Sequence, residues 1–152
     1  MKEPMLTLDQ IHNRVIEINK RIGLESSDLP IFGFKYNDQS FSRDNRSRYV
    51  AINENGYSLI GFGHYRVKED ETVWVKTYDV DELLFEIFKD ATRPIADKYV
   101  RDSHIPDQDR RTVLFQKHIE ILQSLDLKKE FIDRLRLYYD NVLSIELSRR
   151  KG

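Results

Sequence analysis

Arg48-Tyr-Val-Ala-Ile-Asn-Glu-Asn-Gly-Tyr-Ser-Leu-Ile-Gly-Phe62 sets two runs of β-branched and aromatic residues on either side of Asn55-Gly56. A type I′ turn needs positive φ at both central positions, and Asn-Gly supplies it cheaply, so the stretch reads as a β-hairpin. A two-residue loop there pairs Ile52 with Leu59 and Val50 with Gly61 on one face. It puts Ala51 with Ile60 and Tyr49 with Phe62 on the other, so both faces carry apolar side chains. Gly61 and Gly63 share a face and leave a flat spot that a helix or another backbone can approach.

Outward from the hairpin, Ile31–Lys35 is a short strand, and Thr72–Thr77 is another, with Val73 and Val75 facing one way and Trp74 the other. The sheet therefore spans 31–77 as an antiparallel meander of three to four strands. Before it, Thr7-Leu-Asp-Gln10 matches a capping box. Leu8, Ile11, Val15, Ile18 and Ile22 recur at helical spacing up to Gly23, giving a helix over 7–22.

After the sheet, Asp79 caps a helix whose stripe is Leu83, Leu84, Ile87, Phe88 and Ala91, with Pro94 kinking it or starting a new segment. The face continues through Ile95, Ala96, Tyr99 and Val100. A helix from about 108 to 125 presents Val113 or Leu114, Ile121, Leu122 and Leu125, with Asp107 as cap candidate. Asp126 opens a last helix with Phe131, Leu135, Tyr138, Val142 and Ile145 inward. The expectation is one α+β domain over 1–152, its helical part at 79–149, with one helix before the sheet and three or four after it.

Composition narrows the function. A net charge of -1 gives no global field for nucleic acid or anionic lipid. Cysteine is absent, which removes disulfides, thiol nucleophiles and thiolate zinc sites together. No apolar run is long enough to span a membrane and no signal-peptide pattern opens the chain, so it reads as water-soluble and cytoplasmic.

Catalytic patterns are missing. His12, His64, His104 and His118 are scattered, and none forms the paired-histidine helix of a metalloprotease. His104, Asp107 and Asp109 are close in sequence, but Asp107 is better explained as a helix cap. Neither a Gly-x-Ser-x-Gly elbow nor a phosphate-cradling glycine loop occurs. The reading is a non-enzyme without metal or cofactor. Arg43, Arg46 and Arg48, near Tyr36, Phe41 and Tyr49, combine cations with aromatics as single-strand binders do; surface arginines on a solvated loop are the plainer reading.

From Tyr65 onward the residues fit a family order. Tyr65 and Glu69, Thr77, Asp81-Glu-Leu-Leu-Phe85, Ala96, Tyr99, then Asp109-Arg-Arg111 with Phe115 and Leu122, resemble the Imm63-type immunity proteins of bacterial polymorphic toxin systems. The likeness runs over roughly residues 60–125 and departs at Lys68-Glu-Asp70, where the family has Glu-Arg-Gly, and at His118, where it has glutamine. The resemblance implies a small cytoplasmic α+β antidote that occludes a cognate protein toxin. Interfaces draw their anchors from Tyr, Trp and Arg within polar rims. The partner-binding candidates are accordingly Tyr49, Phe62, Tyr65, Glu69 and Trp74 on the sheet, with Asp109 and Arg111 on the third helix. For Tyr65, Phe62 and Trp74 the competing role is core packing; for Asp109 and Arg111 it is an ion pair joining helix to sheet. The alternatives are an interaction domain with an unrelated partner, or a nucleic-acid module built on Arg43, Arg46 and Arg48.

Overall fold

The structure, a computed structural model, describes residues 5–25, 28–32, 48–62 and 71–151, with the backbone alone at Phe62, Arg150 and Lys151. It is α+β: α1 (Leu8–Asn19), β1 (Ile31–Phe32), β2 (Arg48–Asn53), β3 (Gly56–Phe62), β4 (Glu71–Thr77), α2 (Val80–Asp102), α3 (Asp107–Gln123) and α4 (Lys129–Lys151). Two compact units result, residues 1–88 and 89–152, and α2 runs from the first into the second.

In the first unit the four strands lie in chain order, β1-β2-β3-β4. The pairings β2–β3 and β3–β4 are antiparallel, but β1 runs parallel to β2, so the sheet is mixed and not a pure meander. Only neighbours joined by a tight turn are forced to be antiparallel. Residues 33–47 separate β1 from β2, a stretch long enough to bring the chain back in the same direction.

The hairpin forms with its register two residues from expectation: Val50 faces Leu59, Ile52 faces Tyr57 and Asn53 faces Gly56. Neither Glu54 nor Asn55 has positive φ, so the type I′ geometry is not used. Asn53 instead accepts a hydrogen bond from the Asn55 amide through its side chain (2.8 Å), the turn-opening role of asparagine. Gly56, at φ +120°, begins β3, where a Cβ would lie 2.6 Å from the Thr77 carbonyl oxygen. The glycine is required for the close approach of β4. A slip of two residues leaves every side chain on its expected face.

On β4 the parity does change. Leu59 faces Val75 while Ile60 faces Val73, so Trp74 is the extra residue of a bulge. Val73 and Val75 therefore lie on opposite faces, against the simple alternation.

α1 is held by the capping box read from sequence, with Gln10 N–H donating to Thr7 Oγ1 (3.2 Å) and Thr7 N–H donating to Gln10 Oε1 (2.8 Å). It buries Ile11 and Val15 and packs on β1 and β2. The Tyr57 hydroxyl accepts from the Leu6 amide at 2.7 Å, tying the start of that segment to the sheet. With Val50, Leu59, Leu83, Ile87 and Phe88 these make the first unit's core.

Asp79 caps α2, its carboxylate taking the Asp81 amide at 2.9 Å, and the helix passes through Pro94 without ending. The stripe from Leu83 to Ala91, with Ala96 and Val100, is buried, whereas Tyr99 is exposed. In α3 the buried line is Phe115, His118, Ile119 and Leu122. Asp107 is the first helical residue there and Pro106 holds the cap position, without a side-chain bond. Asp126 does not open α4; it takes φ 58° in the turn before Lys129, a conformation aspartate tolerates. α4 buries Phe131, Ile132, Leu135 and Tyr139, leaving Tyr138 and Ile145 exposed.

Candidate functional site

Trp74 is the most conspicuous candidate on the sheet. Its indole covers Gly61, where an added Cβ would lie 2.5 Å from Cε2 and 3.0 Å from Nε1. The flat spot left by the glycine thus receives a side chain, and neither a helix nor a backbone. Trp74 still exposes 42% of its surface, beside Val73 at 56%, so it is not the core residue that was the other reading. Tyr49 is half-buried, and its hydroxyl donates to the Glu71 carboxylate across β3. That hydroxyl is engaged within the sheet. The side chains of Phe62, Tyr65 and Glu69 lie outside the described residues, as do Arg43 and Arg46.

Arg48 corrects the reading of a surface arginine cluster. It is 1% exposed in β2, and its guanidinium donates to the Asp28 carbonyl at 2.6 Å. The residue is a buried strut between the sheet and the segment before β1.

In the second unit, Arg111 pairs with Glu146 of α4 at 3.5 Å. The expected pair with Asp109 joining helix to sheet is replaced by a link from helix to helix. Asp109 is exposed in the first turn of α3, where its charge favours the helix dipole.

The strongest polar constellation is buried. His118, 1% exposed, has Nδ1 at 2.6 Å from the Tyr139 hydroxyl, and Nε2 at 2.9 Å from the Lys89 carbonyl and 3.1 Å from Thr92 Oγ1. A carbonyl can only accept, so Nε2 carries the hydrogen and Nδ1 accepts from Tyr139. Burial pushes the imidazole down to about 4 from 6.5, with the Arg93 and Lys89 charges adding to the fall. Burial also raises the Tyr139 phenol. A neutral histidine with both nitrogens occupied joins α2, α3 and α4; it has no open position for a substrate or metal. Its signal was in the sequence, since His118 lies on the i, i+3, i+4, i+7 line through Phe115, Ile119 and Leu122.

Beside this network a groove of about 370 Å³ runs between α3 and α4. Phe115 and Tyr139 stack at its base with ring centroids 3.8 Å apart. Glu120 and Asp140 stand on its walls. The groove is thus a concave apolar floor with polar walls. Among the described residues no three His, Asp or Glu side chains gather as a metal site, and no helix is long and apolar enough to cross a membrane. A protein-family model described as "Immunity protein 63" matches residues 64–141, just over half of the 152-residue chain. No curated protein and no solved structure matches.

Proposed function

Because the chain belongs to the Immunity protein 63 family over residues 64–141, we propose that it is an antitoxin-like immunity protein that binds a cognate bacterial toxin and neutralises it by occlusion. The family match carries the reading. The geometry supports it through side chains suited to contact: Trp74 exposed on the sheet, Tyr49 half-buried on the same sheet, and a grooved helix pair in the second unit. Tyr49, Phe62, Tyr65, Glu69, Trp74, Asp109 and Arg111 remain the proposed partner-facing set. Occlusion by a protein of this size covers roughly 1,200–2,000 Å² in total. The action is stoichiometric and takes place in the cytoplasm of the producing cell, without cofactor.

Co-expression tests it. Bacteria making the toxin domain encoded beside this chain should survive when the chain is made in equal or greater amount. Survival should fall once toxin exceeds the chain, as for a one-to-one blocker. Death at every ratio would reject the assignment.

A further inference from the structure

The groove between α3 and α4 is shaped and charged for one kind of occupant. Phe115 and Ile119 on α3, with Tyr139 on α4, form a floor of buried apolar side chains. One position further along each helix stand Gln116, Glu120 and Asp140, all exposed, so each helix contributes a line of floor and a line of wall. At about 370 Å³ the space lies at the small end of ligand pockets, roughly 300–1,000 Å³. That is room enough for a long side chain.

Charge selects among long side chains. Arg136 is the one cation lining the groove among the described residues, and it lies 3.7 Å from Asp133, which does not line it. Glu120 is met by Lys117 at 3.4 Å, and that ammonium also sits 4.5 Å from the Tyr99 ring centroid. No ion pair engages Asp140 among the described residues, and its side chain is exposed. The walls therefore offer carboxylate over an aromatic floor, which matches a side chain with an apolar stem and a cationic end.

We infer that this groove is an anchor pocket for a lysine or arginine side chain of the partner protein, its stem on Phe115, Ile119 and Tyr139 and its charge at Asp140 and Glu120. The inference rests on the toxin-binding reading and adds to it a place and a chemistry. The anchor is a seated side chain ringed by polar residues, the arrangement in which few contacts carry most of the binding.

The probe is the toxin domain encoded beside this chain, in a mutationally inactivated form, titrated calorimetrically with the full chain and with variants. Reversing the walls in Asp140→Lys/Glu120→Lys should weaken binding about thirtyfold or more, and filling the groove with Gln116→Trp should do the same. Glu17→Lys, an exposed position of α1, should bind as the parent does, and thermal melts verify that each variant is folded. If the parent binds and both groove variants bind equally well, the groove is not the anchor, although the immunity reading stands. If the parent neither binds nor rescues, that reading falls and the inference falls with it. If Gln116→Trp weakens binding while the charge reversals do not, the groove is occupied but the cation assignment is overturned.

Discussion

Acidification should loosen the second unit, and His118 sets by how much. The ring is neutral, its one hydrogen given to Lys89 and Thr92 and its lone pair filled by the Tyr139 hydroxyl. A second proton on Nδ1 would face the Tyr139 hydrogen and place a charge where water cannot reach it. The folded pKa is therefore about 4, against 6.5 in the unfolded chain. Between those values the unfolded chain holds a proton that the folded chain refuses, so stability falls as pH falls. The contribution is complete above 6.5 and gone below about 4. The whole gap is worth about 3 kcal/mol, and about 2 kcal/mol of it is lost between pH 7 and pH 5. Urea unfolding at pH 7, 6 and 5, on the parent and on His118→Gln, measures this directly. Glutamine keeps one donor and one acceptor but does not titrate here. The difference in unfolding free energy between parent and variant should narrow by about 2 kcal/mol across that range. Curves that fall in parallel would refute the account of His118. Helical ellipticity and Trp74 fluorescence, followed together, should give coincident transitions if residues 1–152 unfold as one domain.

Two further substitutions probe the sheet. Gly61→Ala places a methyl where the Trp74 indole lies; the ring must move, and overpacking of this kind costs about 1–3 kcal/mol. A red-shifted tryptophan emission with a lower midpoint is expected, and an unchanged spectrum would mean that the indole does not rest on Gly61. Arg48→Met keeps the apolar stem but strips the Asp28 carbonyl of its donor, at about 1–3 kcal/mol. Stability should drop, whereas a nucleic-acid role for this arginine requires a lost gel shift with stability intact.

The elements were legible because local rules agree with the fold in most of them. Thr7 and Gln10 make their capping box, Asp79 caps α2, and the stripe Leu83, Leu84, Ile87, Phe88 and Ala91 is buried as its period requires. What was illegible depends on residues distant in sequence. The glycine of Asn55-Gly56 serves the approach of Thr77, 21 residues on, as well as the positive φ it takes where the turn ends. The bulge at Trp74 inverts the faces of β4, and no alternation rule anticipates an inserted residue. In α4 the stripe Phe131, Leu135, Tyr138, Val142, Ile145 has as good a period as the one that is buried, and packing against α3 selects Tyr139 over Tyr138. Of the candidate site, Trp74 and Tyr49 could be named from composition, but the α3–α4 groove exists only once two helices are side by side.

Burial divides the residues that carry the family likeness. Within Asp81–Phe85, the acidic pair sits in the first turn of α2, while Leu83, Leu84 and Phe85 are at most 5% exposed. Ala96 and Leu122 are fully buried and Phe115 is 7% exposed. A side chain closed off from solvent holds the scaffold, and it can influence a partner only through what it positions. Tyr99, Asp109 and Arg111 are exposed, and Arg111 is engaged with Glu146. Much of the likeness therefore lies in the start of α2 and in the core stripes, while under the proposed function a particular toxin would be met by exposed positions such as Trp74, Glu120 and Asp140. Phe115 belongs to both accounts, since its ring is core on one side and groove floor on the other. A fold built this way can change partners by changing its groove walls while its buried lines stay as they are.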